Sequence, residues 1–151
     1  MGKADHLTLG AAGEDAAARF LTARGWRILA RNWRPDGAEH GLELDIIARH
    51  EEHLVFVEVK TRSRPGRTGG ASASSPESVP VHAAFTPKKR ARLVRAARHY
   101  LSACDLWSLP CRFDLVCVEQ GADGQTALEH YSNVIELGHL VDSGNAAWQP
   151  W

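Results

Sequence analysis

Asp45, Glu58 and Lys60 are the residues whose types and spacing could do chemistry together. In Phe56-Val57-Glu58-Val59-Lys60-Thr61-Arg62, an extended backbone puts Glu58 and Lys60 on one side and Val57 and Val59 on the other. The valines and Phe56 predict a buried central strand. On this stretch alone, a salt bridge on the open face of a sheet accounts for Glu58 and Lys60 equally well. The preceding stretch, Glu43-Leu44-Asp45-Ile46-Ile47-Ala48, sets a carboxylate among aliphatic residues, where its charge needs a partner or a cation. If the two stretches pair as a hairpin, Asp45 and Glu58 lie side by side. Adjacent carboxylates raise one another's pKa unless a cation sits between them. Oxygen ligands that leave room for water suit Mg²⁺ or Mn²⁺, which supplies Lewis-acid chemistry at a phosphate. Lys60 would then orient or deprotonate a water, or stabilise charge developing on the phosphoryl oxygens.

The elements that must position these residues are legible in outline. Residues 8–24 read as an Ala-rich helix, with Thr8 as N-cap and Gly25 as a left-handed C-cap. Gly13, Ala17, Phe20 and Leu21 share one face of it, with Glu14 on the rim. Trp26–Trp33 has strand character, and Pro35-Asp36-Gly37 marks a turn. Leu42–Ala48 and Leu54–Thr61 read as a hairpin around the polar stretch 49–53. Residues 63–85, rich in Gly, Ser, Pro and Ala, predict a mobile loop. Pro87 opens a second helix to about Ala103, Phe113–Val118 is a fourth strand, and Tyr131–Leu137 is expected as a fifth. The order helix, three strands, helix, one or two strands predicts an α/β fold with an open mixed sheet flanked by helices. A helical crossover between the third and fourth strands makes them parallel. The expected division is a single domain over 1–137 and a tail over 138–151.

Lysines and arginines balance aspartates and glutamates at 18 each, but they are unevenly placed. From Lys60 to Arg98 there are ten basic residues against one acid, Glu77. That segment is strongly positive within a neutral chain, and Arg62, Lys88, Lys89, Arg92 and Arg95 are candidates to contact phosphates. A run of cations on a helix is more often a solvated face; here the missing acids and the neighbouring Glu58-x-Lys60 favour DNA contact. With 44% hydrophobic and 24% charged residues and no long apolar run, the composition is that of a soluble globular domain with no membrane span. The three cysteines form no C-x-x-C pair, the eight histidines show no metal-binding spacing, and no apolar leader follows Lys3, so a reducing cytoplasm is expected. Arg112 and Asp114 are expected to be structural, and Trp26 and Trp33 to pack in the core.

Asp45, a gap of a dozen residues, and Glu58-Val59-Lys60 match the D…(D/E)-x-K signature of the PD-(D/E)XK nuclease superfamily. Further motifs follow in order: Gly13-Glu14, Gly25–Trp33, Glu43–Ala48, Phe56–Arg62, Lys88–Leu93 and Arg112–Val116. This series resembles the bacterial YraN-like family, an endonuclease-like group related to archaeal Holliday junction resolvases, over roughly residues 10–137. The resemblance implies a restriction-endonuclease-like core with a mixed sheet of four to five strands in the order α-β-β-β-α-β-β. It implies Asp45 and Glu58 as metal carboxylates, with the Val59 backbone carbonyl completing the protein ligands. Lys60 corresponds to the catalytic lysine, and Glu14 to the helix-1 glutamate that approaches the site in the resolvases. The implied partner is DNA, branched DNA included, cleaved with Mg²⁺ or Mn²⁺. The resolvases act as homodimers, although nothing in this chain by itself specifies a dimer interface. Two other readings keep the fold without the reaction: a nucleic-acid-binding or adaptor protein, and an assembly module using the 63–85 loop and the tail bearing Trp148 and Trp151.

Overall fold

The computed structural model describes residues 3–37, 41–64 and 85–135. Helix α1 (Lys3–Ala23) is followed by strands β1 (Arg27–Trp33), β2 (Leu44–His50) and β3 (His53–Arg64). Helix α2 (Pro87–Cys104) and strands β4 (Cys111–Gly121) and β5 (Thr126–Tyr131) complete the α-β-β-β-α-β-β order. The five strands form one sheet in chain order, antiparallel throughout except for the parallel β3–β4 pair. That exception follows from the helical crossover, since α2 carries the chain back to the edge from which β3 started. The result is the α/β fold, a mixed sheet flanked by helices, that the sequence predicted.

Alternating side chains of β3 divide the core. Leu54 and Phe56 pack with Phe113, Leu115 and the α2 residues Leu93, Ala97 and Leu101. Val55 and Val57 pack with Val116, Val118 and the α1 residues Ala17 and Leu21. The two helices therefore cover opposite faces of the sheet, and β3 is buried on both sides.

The helix ends are specified locally. After α1, Gly25 takes φ 83°, its N–H reaches the Thr22 carbonyl at 3.0 Å and the Trp26 N–H reaches Leu21 at 3.1 Å, the double closure of a left-handed stop. At the start of α2, Thr86 accepts from the Lys89 N–H at 3.2 Å with Pro87 in the first turn. Asp105 closes α2 in the left-handed region at φ 52°.

Four expectations need correction. Helix α1 begins at Lys3, so Thr8 lies inside it rather than capping it; no Gly or Pro between Lys3 and Thr8 interrupts the helix. The 63–85 loop is shorter than expected at both ends. Ser63 and Arg64 extend β3 through pairing with β4, and Phe85 is a core residue at 2% exposure. The fifth strand is Thr126–Tyr131 instead of 131–137, because β4 runs on to Gly121 and Asp123-Gly124 turns the chain straight back. There the Gly121 N–H donates to the Gln125 carbonyl at 2.7 Å, and Asp123 accepts from the Gln125 N–H at 3.1 Å. An Asp-Gly pair between two strand-like runs is a hairpin signal that the apolar pattern of 131–137 obscured. Finally, β2 and β4 each extend two or three residues past their expected ends. Residues 65–84, most of the expected loop, and 138–151, the expected tail with Trp148 and Trp151, lie outside those described.

The three cysteines are free thiols; Cys104 is exposed, and burial pushes the half-buried Cys111 up to about 12. No helix among the described residues is long and apolar enough to cross a membrane.

Candidate metal and phosphate site

The site forms where the β2–β3 hairpin comes apart. The two strands pair from His50↔His53 to Ile46↔Val57 and no further, while β3 continues to Arg64 against β4. Continuing the register places Asp45 opposite Glu58, at the first position beyond the ladder. Past that point the Val59 N–H has lost a strand partner on the β2 side, and the Asp45 carboxylate accepts from it at 2.9 Å. Asp45 thereby ends the ladder with its side chain, which fixes its orientation beside Glu58.

Glu58 is 11% exposed along its side chain and splits its two oxygens. Oε1 lies 2.7 Å from the Lys89 ammonium of α2. Oε2 is buried and has no hydrogen-bond partner among the described residues. A buried carboxylate oxygen left unmatched is costly, and such an atom beside a second carboxylate is suited to a cation. Asp45 carries the same signature. Burial, then the neighbouring Glu58 charge, pushes its pKa up to about 7, despite the Val59 N–H; Glu14 raises it further and Lys89 opposes. Near neutral pH the pair therefore holds fewer negative charges than two free carboxylates would, and a bound cation would restore them. Phe85, Leu93 and Phe113 line the crevice beside both acids, which is why burial weighs so heavily.

Glu14 reaches this group from the other side of the sheet because α1 approaches β3 unusually closely. A Cβ on Gly13 would sit 1.9 Å from Thr61 Oγ1 and 2.9 Å from Thr61 Cβ, so only glycine permits the contact. The next residue, Glu14, is half-buried and close enough for its charge to act on Asp45.

Among the described residues, no three His, Cys, Asp or Glu side chains converge tightly enough to hold a metal by themselves. A site here would consist of Asp45, Glu58, the Val59 carbonyl and water. That meagre set suits Mg²⁺ or Mn²⁺, which retain several waters, better than Zn²⁺, which takes three or four protein ligands.

Lys60 is exposed, one pleat beyond Glu58 on the same strand face. It pairs across the ladder with Cys117, where its charge and that of Arg62 are felt. The alternative reading of Glu58 and Lys60 as a salt bridge does not match the ion pair described; Lys89 contacts Glu58 instead. Of the predicted phosphate contacts, Arg62 is exposed near the end of β3, and Lys88, Arg92 and Arg95 are exposed on α2. The Arg92 guanidinium lies against Gly41, which has φ 95°, at the approach to β2. Lys89 faces the acids as well as solvent.

A second polar cluster surrounds Asp114, which the sequence marks with Arg112 as structural. Asp114 is fully buried on β4 and accepts from Arg112 Nε at 3.1 Å and the Asn133 N–H at 2.9 Å. His130 Nε2 lies 2.8 Å from its other oxygen. Burial opposes the Asp114 charge, but the His130, Asn133 and Arg112 hydrogen bonds outweigh it and hold the carboxyl below its usual range. Trp26 closes the cluster, stacked on His50 at 4.5 Å and edge-on to His130 at 5.3 Å. The Arg112–Asp114 pairing agrees with the structural reading of those residues. His130 carried no spacing signal because its partner is sixteen positions away, across the β4–β5 hairpin.

Comparison with known proteins places this geometry in a family. The model of "Uncharacterised protein family UPF0102" matches residues 13–118, a span that contains every site residue named above up to α2. A UPF0102 protein of Nitratidesulfovibrio vulgaris (strain DP4) is 47% identical over 148 residues, 98% of each chain. One from Lawsonia intracellularis is 39% identical over 143 residues, covering 95% of this chain and 96% of its own. One from Symbiobacterium thermophilum is 46% identical over 117 residues, covering 78% and 86% respectively. With the family model spanning most of the chain and such relatives matching nearly all of it, the chain belongs to the UPF0102 family, the YraN-like group whose motifs it carries.

Proposed function

We propose that the chain is a divalent-metal-dependent DNA endonuclease that hydrolyses phosphodiester bonds, with branched or otherwise structured DNA as its substrate class. A cytoplasmic setting belongs to this reading. One observation carries it: the buried, unpartnered Glu58 Oε2 beside Asp45, whose carboxyl resists ionisation up to about pH 7. Asp45, Glu58 and the Val59 carbonyl would hold Mg²⁺ or Mn²⁺, which supplies Lewis-acid stabilisation of charge on the scissile phosphate. The remaining work falls to the chain's own groups. Lys60, on the strand face of Glu58 but in solvent, orients the attacking water and stabilises charge on the phosphoryl oxygens. Glu14 adds a third negative group, favouring the cation and available to accept a proton from water. Arg62, Lys88, Arg92 and Arg95 hold flanking phosphates and fix the strand's register.

The test is a cleavage panel of duplex, single-stranded, flapped and four-way DNA with Mg²⁺ or Mn²⁺, run beside Asp45→Ala and Lys60→Ala. Metal-dependent cutting that both variants abolish while remaining folded supports the reading. Protein that binds metal yet cuts none of these substrates refutes it.

A second reading, a DNA-binding or adaptor protein that retains the fold without turnover, is favoured by the Lys89–Glu58 contact. An internal ammonium at 2.7 Å already neutralises half of the carboxylate pair. Salt-sensitive DNA binding without measurable Mn²⁺ binding by calorimetry would select it.

A further inference from the structure

The far end of α2 carries a feature that the carboxylate site does not use. Arg95, Arg98, His99 and Ser102, with Trp107 from the turn after the helix, line an open cavity of about 310 Å³. The four helix positions follow i, i+3, i+4 and i+7, so they share one face. Helix α2 (PKKRARLVRAARHYLSAC) contains no Asp or Glu, and among the described residues none that lines the cavity is acidic. Trp107 is half-buried against the core cluster, and its indole N–H donates to Ser102 Oγ at 3.2 Å. The ring is thus held in one orientation before anything binds, which removes most of the ordering cost of stacking on it.

An aromatic ring and arginines lining one cavity are the chemistry that receives a nucleobase and its phosphate. Inside a duplex each base has both faces covered by its neighbours, so a side chain stacks on an unpaired base or on the end of a helix. The volume lies at the small end of the range for ligand pockets, ~300–1,000 Å³. That is room for a nucleobase. Lys88, Arg92, Arg95 and His99 continue the same stripe (i, i+4, i+7, i+11) back toward Lys89 and Glu58. Lys89 and His99 are separated by ~15 Å along the helix axis.

We propose that this cavity is a subsite for one unpaired nucleotide of a DNA strand, its base stacked on Trp107 and its phosphate held by Arg95 and Arg98. This rests on the endonuclease reading for its orientation and sharpens the substrate class. The preferred DNA carries an unpaired strand beside a duplex, as in a flap, fork or gap, and α2 guides that strand between the cavity and the carboxylates.

The test measures binding by the full chain in EDTA, so that no cleavage enters. The fluorescent probes are a blunt duplex, the same duplex with a thymidine tail, and one with an abasic tail. Wild-type protein should prefer the thymidine tail. Trp107→Leu should weaken that complex about tenfold, the scale of one lost base-stacking contact, with little effect on the blunt duplex. The abasic tail should bind wild type as weakly as the thymidine tail binds the variant. Arg98→Gln, at an exposed position, should weaken the tailed complex without touching the core, and Trp107→Phe should retain most of the preference. Equal binding of all three probes by wild type, or a Trp107→Leu variant that melts normally and binds the tail like wild type, overturns the proposal. If wild type binds no DNA at all, the endonuclease reading falls with it. Trp107-dependent binding of the tail without cleavage under any metal condition leaves the subsite standing and removes the endonuclease reading alone.

Discussion

Replacing Asp45 with asparagine should make the metal-free protein more stable at pH 8, although it removes a residue at the centre of the site. In the unfolded chain this carboxyl ionises near 3.8; burial, followed by the Glu58 charge, moves it to about 7 in the fold. Below pH 4 the group is protonated in both states and contributes nothing to the balance. Between pH 4 and 7 the unfolded chain loses the proton while the folded protein keeps it, so stability falls as pH rises. Above pH 7 both states are ionised, and the folded protein carries the whole penalty, on the order of 4 kcal/mol for a shift of this size. Asparagine cannot ionise, keeps a carbonyl oxygen for the Val59 N–H, and offers an amide donor toward the orphaned Glu58 oxygen. Urea unfolding in EDTA at pH 5, 6, 7 and 8 measures the effect. Comparing the two proteins at each pH cancels the histidines they share. The variant's advantage should already exceed about 1 kcal/mol at pH 5 and grow by roughly 2–3 kcal/mol more by pH 8. Saturating Mn²⁺ should then raise the wild-type midpoint at pH 8 and leave the variant's unchanged, because a cation that binds only the folded, ionised pair stabilises it by mass action. Parallel pH curves for the two proteins, or a variant less stable at pH 8, would show that Asp45 is not a strained carboxylate and would remove the electrostatic argument for a cation.

Two further outcomes follow from the packing. Gly13→Ala should lower stability by roughly 1–3 kcal/mol, because its methyl would overlap Thr61 Cβ as well as the hydroxyl, and it should also push Glu14 away from Asp45. A thermal melt reads the loss, and adding Thr61→Ala should recover part of it; a Gly13→Ala protein that melts like wild type would show that the close α1–β3 approach is absent. Asp114→Ala should cost about 3 kcal/mol, since it leaves the half-buried Arg112, His130 and the Asn133 N–H without their common buried partner. The Asp114 carboxyl is held below its usual range, so its stabilising contribution is present above the unfolded carboxyl's pKa and disappears as pH falls through the folded value. Acid unfolding followed by circular dichroism should therefore be shallower in the variant than in wild type, and curves of equal steepness would contradict the assignment.

The sequence by itself determined the order of the elements and the short-range part of the site, though not the start of α1 or the place of β5. The alternation in Phe56–Arg62 put Glu58 and Lys60 on one strand face, and Pro87 and Gly25 marked helix ends, because strand period and capping chemistry act over a few residues. The hairpin that sets Asp45 beside Glu58 was readable for the same reason: its two strands are joined by a short turn, so proximity in sequence became proximity in space. Tertiary structure decided the rest. Lys89 reads as one more solvent-facing cation in a basic helix until α2 packs across β3 and carries its ammonium to Glu58. Glu14 reads as a helix-rim charge until Gly13 lets α1 close onto Thr61. His130 finds Asp114, and Trp107 joins Arg98 at a cavity, only once strands and helix ends far apart in the chain are brought together. In Glu58 the division runs through a single side chain. Its strand face follows from the local period; its bare oxygen, and with it the case for a cation, depends on what every neighbouring element does or does not bring within hydrogen-bonding reach.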